Sequence, residues 1–293
     1  MDVLTQLNRA MDYIEEQITD DLALADVSSV TAYSPFHFGR LFYYIADMSL
    51  SEYIRRRKMS LAAMELQTGG AKIIDLAVMY GYESADSFTR AFTKQHGITP
   101  SNARQSGIGL TIFPPLTFQI KIKGVQAMNW RIEEKEAFEV FGIERIFKNA
   151  ETDKVSRFWD ECFKNGEYER LHQAANAKRG EDGKHCIHAV CGFCEPGDDS
   201  FPYMICALKK SDSGIDGFKP AQIPKNTWAV FRSGKSDHMG IAIPELFNRA
   251  YSEWMPSSGY DKSAGPDMEI YYTDVDGKHF EEVWIPVKKI EAV

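Results

Sequence analysis

Asp86, Arg90 and Lys94 recur at four-residue spacing in "SADSFTRAFTKQH", a segment with helical patterning. A guanidinium fork such as that of Arg90 matches the O6 and N7 acceptors of guanine, and a carboxylate accepts from cytosine N4. Asp86 has a second option, which is to hold Arg90 as an i, i+4 partner. Removing Ala85, Phe88 and Phe92 as the buried stripe leaves Asp86, Ser87, Arg90 and Lys94 outward, with Ser84 as cap. An earlier stretch, "YSPFHFGRLFYYI", has the same plan. Ser34 caps it and Pro35 suits the first helical position. Phe38, Leu41, Phe42 and Ile45 form the stripe, leaving Phe36, His37, Gly39 and Arg40 outward. Arg40 offers another fork, and Phe36 an apolar surface for a thymine methyl.

A different chemistry is suggested near the other end. In "HFEEVWIPV", strand alternation puts Phe280, Glu282 and Trp284 on one face. A lone carboxylate among aromatic rings is costly to bury unless paired or protonated, so Glu282 marks a candidate site. The competing reading has Glu282 facing solvent or satisfied by a nearby lysine. Tyr203, Trp228, Trp254, Tyr271 and Trp284 are candidate walls that would draw a cationic or flat lipophilic ligand. Core packing is the alternative for each, above all for Trp254 on its helix stripe. "HCIHAVCGFC" has ligand types that suit zinc. Alternation nevertheless sends Cys186, His188 and Cys194 to one face and His185 and Cys191 to the other, so no metal is expected. Cys162 reads as core. No phosphate-binding glycine loop and no Ser-His-Asp spacing is present, and no cofactor is expected.

The elements that would position these groups divide in two. Leu4, Leu7, Met11, Ile14 and Ile18 set a helical rhythm in the opening segment, and a long helix over 51–67 ends at Gly69. At 1.5 Å per residue that helix would separate the two capped segments by roughly 26 Å, close to one turn of duplex DNA. "RRRK", Arg55–Lys58, lies on it and reads as a solvated face or as phosphate contacts. "SGIGLTIFPPLTF" then has the glycine and prolines of a connector, yet is apolar enough to lie against something. Strands are expected near 127–133, 137–146, 185–194, 201–210, 218–223, 227–233, 267–273 and 280–288. Helices are expected over 153–164 and from Pro244. The predicted fold is therefore multi-domain. An all-α N-terminal domain with two helix-turn-helix units precedes an α+β domain with a duplicated strand-strand-helix-strand-strand layout. Its boundaries are 1–107, a connector at 108–126, and 127–293.

Composition agrees with two domains: the chain has 293 residues, 44% of them hydrophobic, and a formal net charge of −8. The charge is uneven. Residues 34–105 carry nine basic against six acidic side chains, whereas residues 1–33 carry one against seven. No run reaches the roughly 18 apolar residues of a membrane span. Five cysteines, an odd number, argue against a disulfide framework and for a reducing compartment, so a soluble cytoplasmic protein is expected.

Residues 1–105 resemble the DNA-binding domain of the AraC/XylS family of transcription regulators, through "LNRAMDYIEEQI", "SPFHFGRLF", "SEYIRRRKM" and "GYESADSFTRAFTKQHGITPSNAR". The resemblance implies that helices 34–45 and 84–95 enter adjacent major grooves and gives Arg40 and Arg90 base-contacting roles. Gly39 departs from the family, where a polar side chain is common. "SRFWDECFKNGEYERL", "IPKNTWAVFRSGK", "SEWMPSSGY" and "EEVWIPVKK" resemble the GyrI-like effector-binding domain, and the pairing in this order resembles Rob-type regulators. The partners so implied are double-stranded promoter DNA, a small aromatic or cationic lipophilic effector, and RNA polymerase. Two alternatives stay open for the C-terminal domain: hydrolysis of small electrophiles with Glu282 as base, and binding of a protein partner.

Overall fold

Side-chain hydroxyls and glycines punctuate the N-terminal part of the chain into helices. They are α1 (Val3–Glu16), α2 (Leu24–Ser29), α3 (Pro35–Ala46), α4 (Leu50–Thr68), α5 (Ile73–Met79), α6 (Ala85–His96) and α7 (Pro100–Ala103). Ser34, Ser49 and Ser84 each accept from the backbone N–H three residues on, opening α3, α4 and α6. Gly97, at φ 73°, takes the left-handed conformation that ends α6. Gly81, at φ 77°, makes the turn between α5 and α6 in the same way.

A computed structural model describes residues 3–105, 108–118, 127–148, 154–176, 180, 183–193 and 200–290. The chain divides into two compact units, Leu4–Gln119 and Ile120–Val293, the second also taking Met1–Val3. In the first, α2–α3 and α5–α6 are helix-turn-helix pairs on either side of α4. The pair α5–α6 shares a core of Met59, Leu66, Leu76, Phe88 and Phe92. At α3, Phe42 packs on Tyr53 of α4. Nineteen residues make α4 about 28 Å long. Residues 108–118 form no helix or strand and belong to this unit, with Phe118 buried edge-on against Phe42 at 6.0 Å.

The second unit is α+β. Its elements are β1 (Asn129–Lys135), β2 (Phe138–Lys148), α8 (Lys154–Lys164), α9 (Glu167–Ala175), β3 (Ile187–Cys191), β4 (Ser200–Leu208), β5 (Lys219–Ile223), β6 (Asn226–Arg232), α10 (Ile243–Arg249), β7 (Tyr260–Lys262), β8 (Asp267–Thr273) and β9 (His279–Lys289). After α10 the chain continues as a π-helical turn, Ala250–Trp254, and a 3₁₀ turn, Met255–Ser257. The duplicated strand-strand-helix-strand-strand layout is present. Two elements had no clear sequence signal. The three-residue β7 is too short to show alternation, and α9 follows the Asn165-Gly166 break with only Leu171 and Ala175 buried.

The antiparallel sheet runs β1-β6-β9-β8-β3-β4-β2-β5, with β7 paired to β9 off this path. Read backwards, the path exchanges β1 with β5, β6 with β2, β9 with β4 and β8 with β3, so the two repeats are related about the β3–β8 seam. β1 and β2 stand near opposite ends of the path, yet Lys135 and Phe138 are only three residues apart and can be separated by no more than about 11 Å. The sheet must therefore curl. Its inner face holds one core that joins Val140 and Ile223 from one end to Trp228 and Val230 from the other, with Met204, Met268 and Trp284 between. Helices cover the outer face, where Phe158, Leu171, Phe247 and Trp254 are buried.

His188 lies on the inner face at 2% exposure. Burial, reinforced by the charges of Lys184 and His185, pushes its pKa from 6.5 down to about 3. The unfolded chain takes up this proton first, so stability is lost as the pH falls from about 6.5 towards 3, at about 1.4 kcal/mol per pH unit. Urea midpoints measured across this range are expected to fall with acid, and His188→Gln to flatten the slope. An equal slope in the variant would show that other groups carry it.

Candidate functional site

The buried side of α6 consists of Phe88, Phe92 and His96. Its other side exposes Asp86, Arg90 and Lys94, with Ser87 half-buried beside the Ser84 cap. Among the described residues none of the three exposed charges has an ion-pair partner, so Asp86 does not hold Arg90. The outward arrangement expected for this helix is present.

At α3 the expectation needs correction. Arg40 is 8% exposed, its guanidinium lying 5.4 Å from the centre of the Tyr44 ring and donating to Tyr44 Oη at 3.4 Å. Gly39 is buried as well, and His37 is half-buried with Nδ1 3.0 Å from Ser34 Oγ. The cause is the composition of "PFHFGRLFYYIA", which is apolar around most of its circumference, so no single stripe can be subtracted to leave an outward face. The side chain of Phe36 lies outside the described residues.

The "RRRK" run divides between the surface and the interior of the unit. Arg55 and Arg56 both reach Glu52, Arg57 is 4% exposed in a pair with Glu15, and Lys58 donates to the Asp20 carbonyl at 3.1 Å. Arg57 and Lys58 tie α4 to neighbouring parts of the unit, whereas Arg55 and Arg56 stay on the surface of α4 in pairs with Glu52.

In the second unit the outer face of the sheet brings Tyr203 and Tyr271 to a carboxylate absent from the sequence expectations, Glu269. Alternation on β8 sets Glu269 and Tyr271 on this face. Tyr203 approaches from β4, across β3, where the small Ala189 pairs with Glu269 and leaves room. Both phenols donate to Glu269 Oε2 at 2.7 Å. Trp159 of α8 donates to Tyr203 Oη at 2.9 Å and meets the Tyr271 ring edge-on at 5.5 Å. Glu269 is 7% exposed. Burial, and next the Glu269 charge, push both phenol pKa values well up, so both stay donors. Trp254 shares the face but packs in its own cluster with Trp130, Phe231 and Tyr260.

Glu282 is not the lone carboxylate that the sequence suggests. It lies on the inner face with Trp228 and Trp284, so the candidate walls are split between two faces. Arg131 holds its carboxylate by two bonds, 2.7 and 3.0 Å, and Tyr272 Oη and Trp284 Nε1 donate to Oε2. The physical reason is the cost of burial: at 2% exposure the carboxylate needs donors of its own, and β1 supplies the charged one while β8 and β9 supply the neutral ones. Glu269 and Trp159 were the residues missed, although the Glu269-x-Tyr271 alternation was present in "MEIYYTD".

Two helix-turn-helix pairs joined by a rod, followed by a sheet domain with a buried carboxylate among aromatic side chains, define a regulator that binds DNA. Residues 128–288, just over half of the chain, match the GyrI-like small molecule binding domain, and residues 27–106 match a helix-turn-helix domain. The transcriptional activator AarP of Providencia stuartii is 41% identical over 97 residues, 33% of this chain and 72% of that protein. The right origin-binding protein of Escherichia coli K12 is 23% identical over 273 residues, 91% of this chain and 90% of that one. A solved structure of SAV2435 bound to tetraphenylphosphonium covers 55% of this chain and 94% of its own, at 18% identity and a TM-score of 0.45. The chain belongs to the AraC family of DNA-binding transcription regulators and carries a GyrI-like domain. Among the described residues, no helix is long and apolar enough to cross a membrane.

Because Arg131 neutralises a buried charge, Arg131→Ala is expected to destabilise the second unit by about 3 kcal/mol, seen as an earlier thermal transition. Arg131→Ala with Glu282→Leu should recover much of the loss. A single variant as stable as the parent would mean that Glu282 is satisfied without Arg131.

Proposed function

We propose that α6 is the principal base-reading helix, lying in the major groove with Arg90 directed to a guanine edge and Lys94 to phosphate. Asp86 and Ser87, near its N-terminus, face the same groove. The helix α3 occupies the neighbouring groove through its N-terminal end, Ser34 to His37, while buried Arg40 supports the helix instead of reading a base. The functional division that goes with this is 1–107 for DNA and 127–293 for the ligand, with 108–126 between them. Action in the cytoplasm on RNA polymerase at a promoter completes the reading.

The ligand of the GyrI-like domain is, in this proposal, a small flat lipophilic cation held at Glu269 between Tyr203, Tyr271 and Trp159. One observation carries it: a carboxylate at 7% exposure that accepts from the hydroxyls of Tyr203 and Tyr271, with Trp159 donating to Tyr203 beside it. Glu282 already carries a guanidinium, that of Arg131.

Two measurements follow. On a duplex enriched by the full chain from a random pool, Arg90→Ala is expected to weaken binding by about 1–3 kcal/mol and relax preference at one base pair. Lys94→Ala should mainly reduce the salt dependence. Unchanged affinity and selectivity for Arg90→Ala would remove α6 from the reading role. For the ligand, calorimetric titration with tetraphenylphosphonium should show Glu269→Gln weakened about tenfold or more, and Glu282→Gln little changed. The reverse ranking would move the site to the inner face.

A further inference from the structure

Residues 108–118 run along α4 in the opposite direction, from the second helix-turn-helix pair to the first. At the start, Gln67 Nε2 donates to the Ile108 carbonyl at 3.1 Å, and Leu110 packs on the core around Phe88 and Phe92. Midway, the Phe113 N–H donates to Ser60 Oγ at 2.9 Å and its carbonyl accepts from Arg57 Nη1 at 2.6 Å. Further on, the Leu116 N–H donates to Tyr53 Oη at 3.0 Å. At the end, the Asn8 amide of α1 takes both backbone groups of Phe118, at 2.8 and 3.0 Å, while the Phe118 ring lies against Phe42 of α3.

Glu15 ties these contacts together. Its two oxygens accept from Arg57 Nε at 2.8 Å and Nη2 at 2.5 Å, and Tyr53 Oη donates to it at 2.8 Å. Burial alone would raise the Glu15 carboxyl, but donation from Arg57 and Tyr53 holds it below its ordinary value. Arg57 thus joins α1, α4 and the extended segment, each of its three nitrogens donating once, at 4% exposure.

We infer that Arg57 is a positioning residue for DNA reading: by latching residues 108–118 along α4 it fixes the spacing and rotation between α3 and α6. The rod alone sets a length of about 28 Å, whereas two helices meeting one face of a duplex must also agree in phase over about one turn. An extended brace anchored in both cores supplies that second constraint. Once one helix is bound, the other binds as an intramolecular partner, so loss of phase lowers affinity without touching any base contact. The inference rests on the reading that both α3 and α6 enter DNA.

The test uses the full chain and a duplex it enriches from a random-sequence pool, with derivatives in which either half-site is scrambled or one base pair is inserted between them. Arg57→Met is expected to lose about tenfold on the intact duplex and less than about twofold on each half-site, and to tolerate the insertion that the parent rejects. Asn8→Ala, at the far end of the segment, should show the same split more weakly. Equal losses on intact and half-site duplexes, or no loss on any, would overturn the inference. Should Arg57→Met fail to melt cooperatively, Asn8→Ala decides by the same split. An enriched sequence with a single block would overturn the two-helix reading itself, a result separable from failure of the latch.

Discussion

A carboxylate withdrawn from water must be met by donors, and the hairpin of β8 and β9 buries four: Asp267, Glu269, Glu281 and Glu282. Each recruits its donors from a different part of the second unit. Asp267 is met by Lys262 at the end of β7 and by Tyr251 of the π-helical turn. The Gly240 N–H and the Ser233 hydroxyl, beyond β6, serve Glu281. Arg131 of the edge strand β1 serves Glu282, and Tyr203 of β4 reaches Glu269. The hairpin is thereby fastened to an edge strand, to a covering helix, to a loop and to the other repeat. In energetic terms these bonds offset desolvation more than they add stability, but removing any partner leaves a buried charge without it. Specific geometry is what they contribute.

The N-terminal unit puts its cations to comparable use. Its net-basic stretch suggested a surface that repels itself and attracts phosphate, yet Arg40, Arg57 and Lys58 all bond to neighbouring parts of the same unit. Arg90 and Lys94 are the ones left outward on α6. Local charge balance was therefore a weak guide to which cations face outward, while the position of each cation relative to a buried stripe was a good one wherever a stripe could be defined.

That contrast explains how much was legible beforehand. Caps, glycine turns and alternation are local, so α3, α4, α6 and the eight longer strands could be read from sequence to within a few residues. On α6, where apolar and polar positions separate cleanly, outward residues could be named. On α3, where they do not, Arg40 and Gly39 were misplaced. Alternation correctly grouped Phe280, Glu282 and Trp284, but it says nothing about what crosses from another strand. Arg131 meets Glu282 from 151 positions away, and Tyr203 meets Glu269 from 66. Such pairings depend on strand order and register, which no short window contains, and the choice between two buried carboxylates turned on them.

The order of strands in the sheet is the same from either end, with the midpoint falling between β3 and β8. At that midpoint antiparallel pairing joins the repeats, as it does again where β1 pairs with β6 and β2 with β5. A polypeptide of half the size could build an equivalent sheet by associating with an identical copy of itself. Fusion of two such copies would then free each half to drift, so that one carries the buried glutamates Glu269 and Glu282 while the other supplies the tyrosine and arginine that meet them.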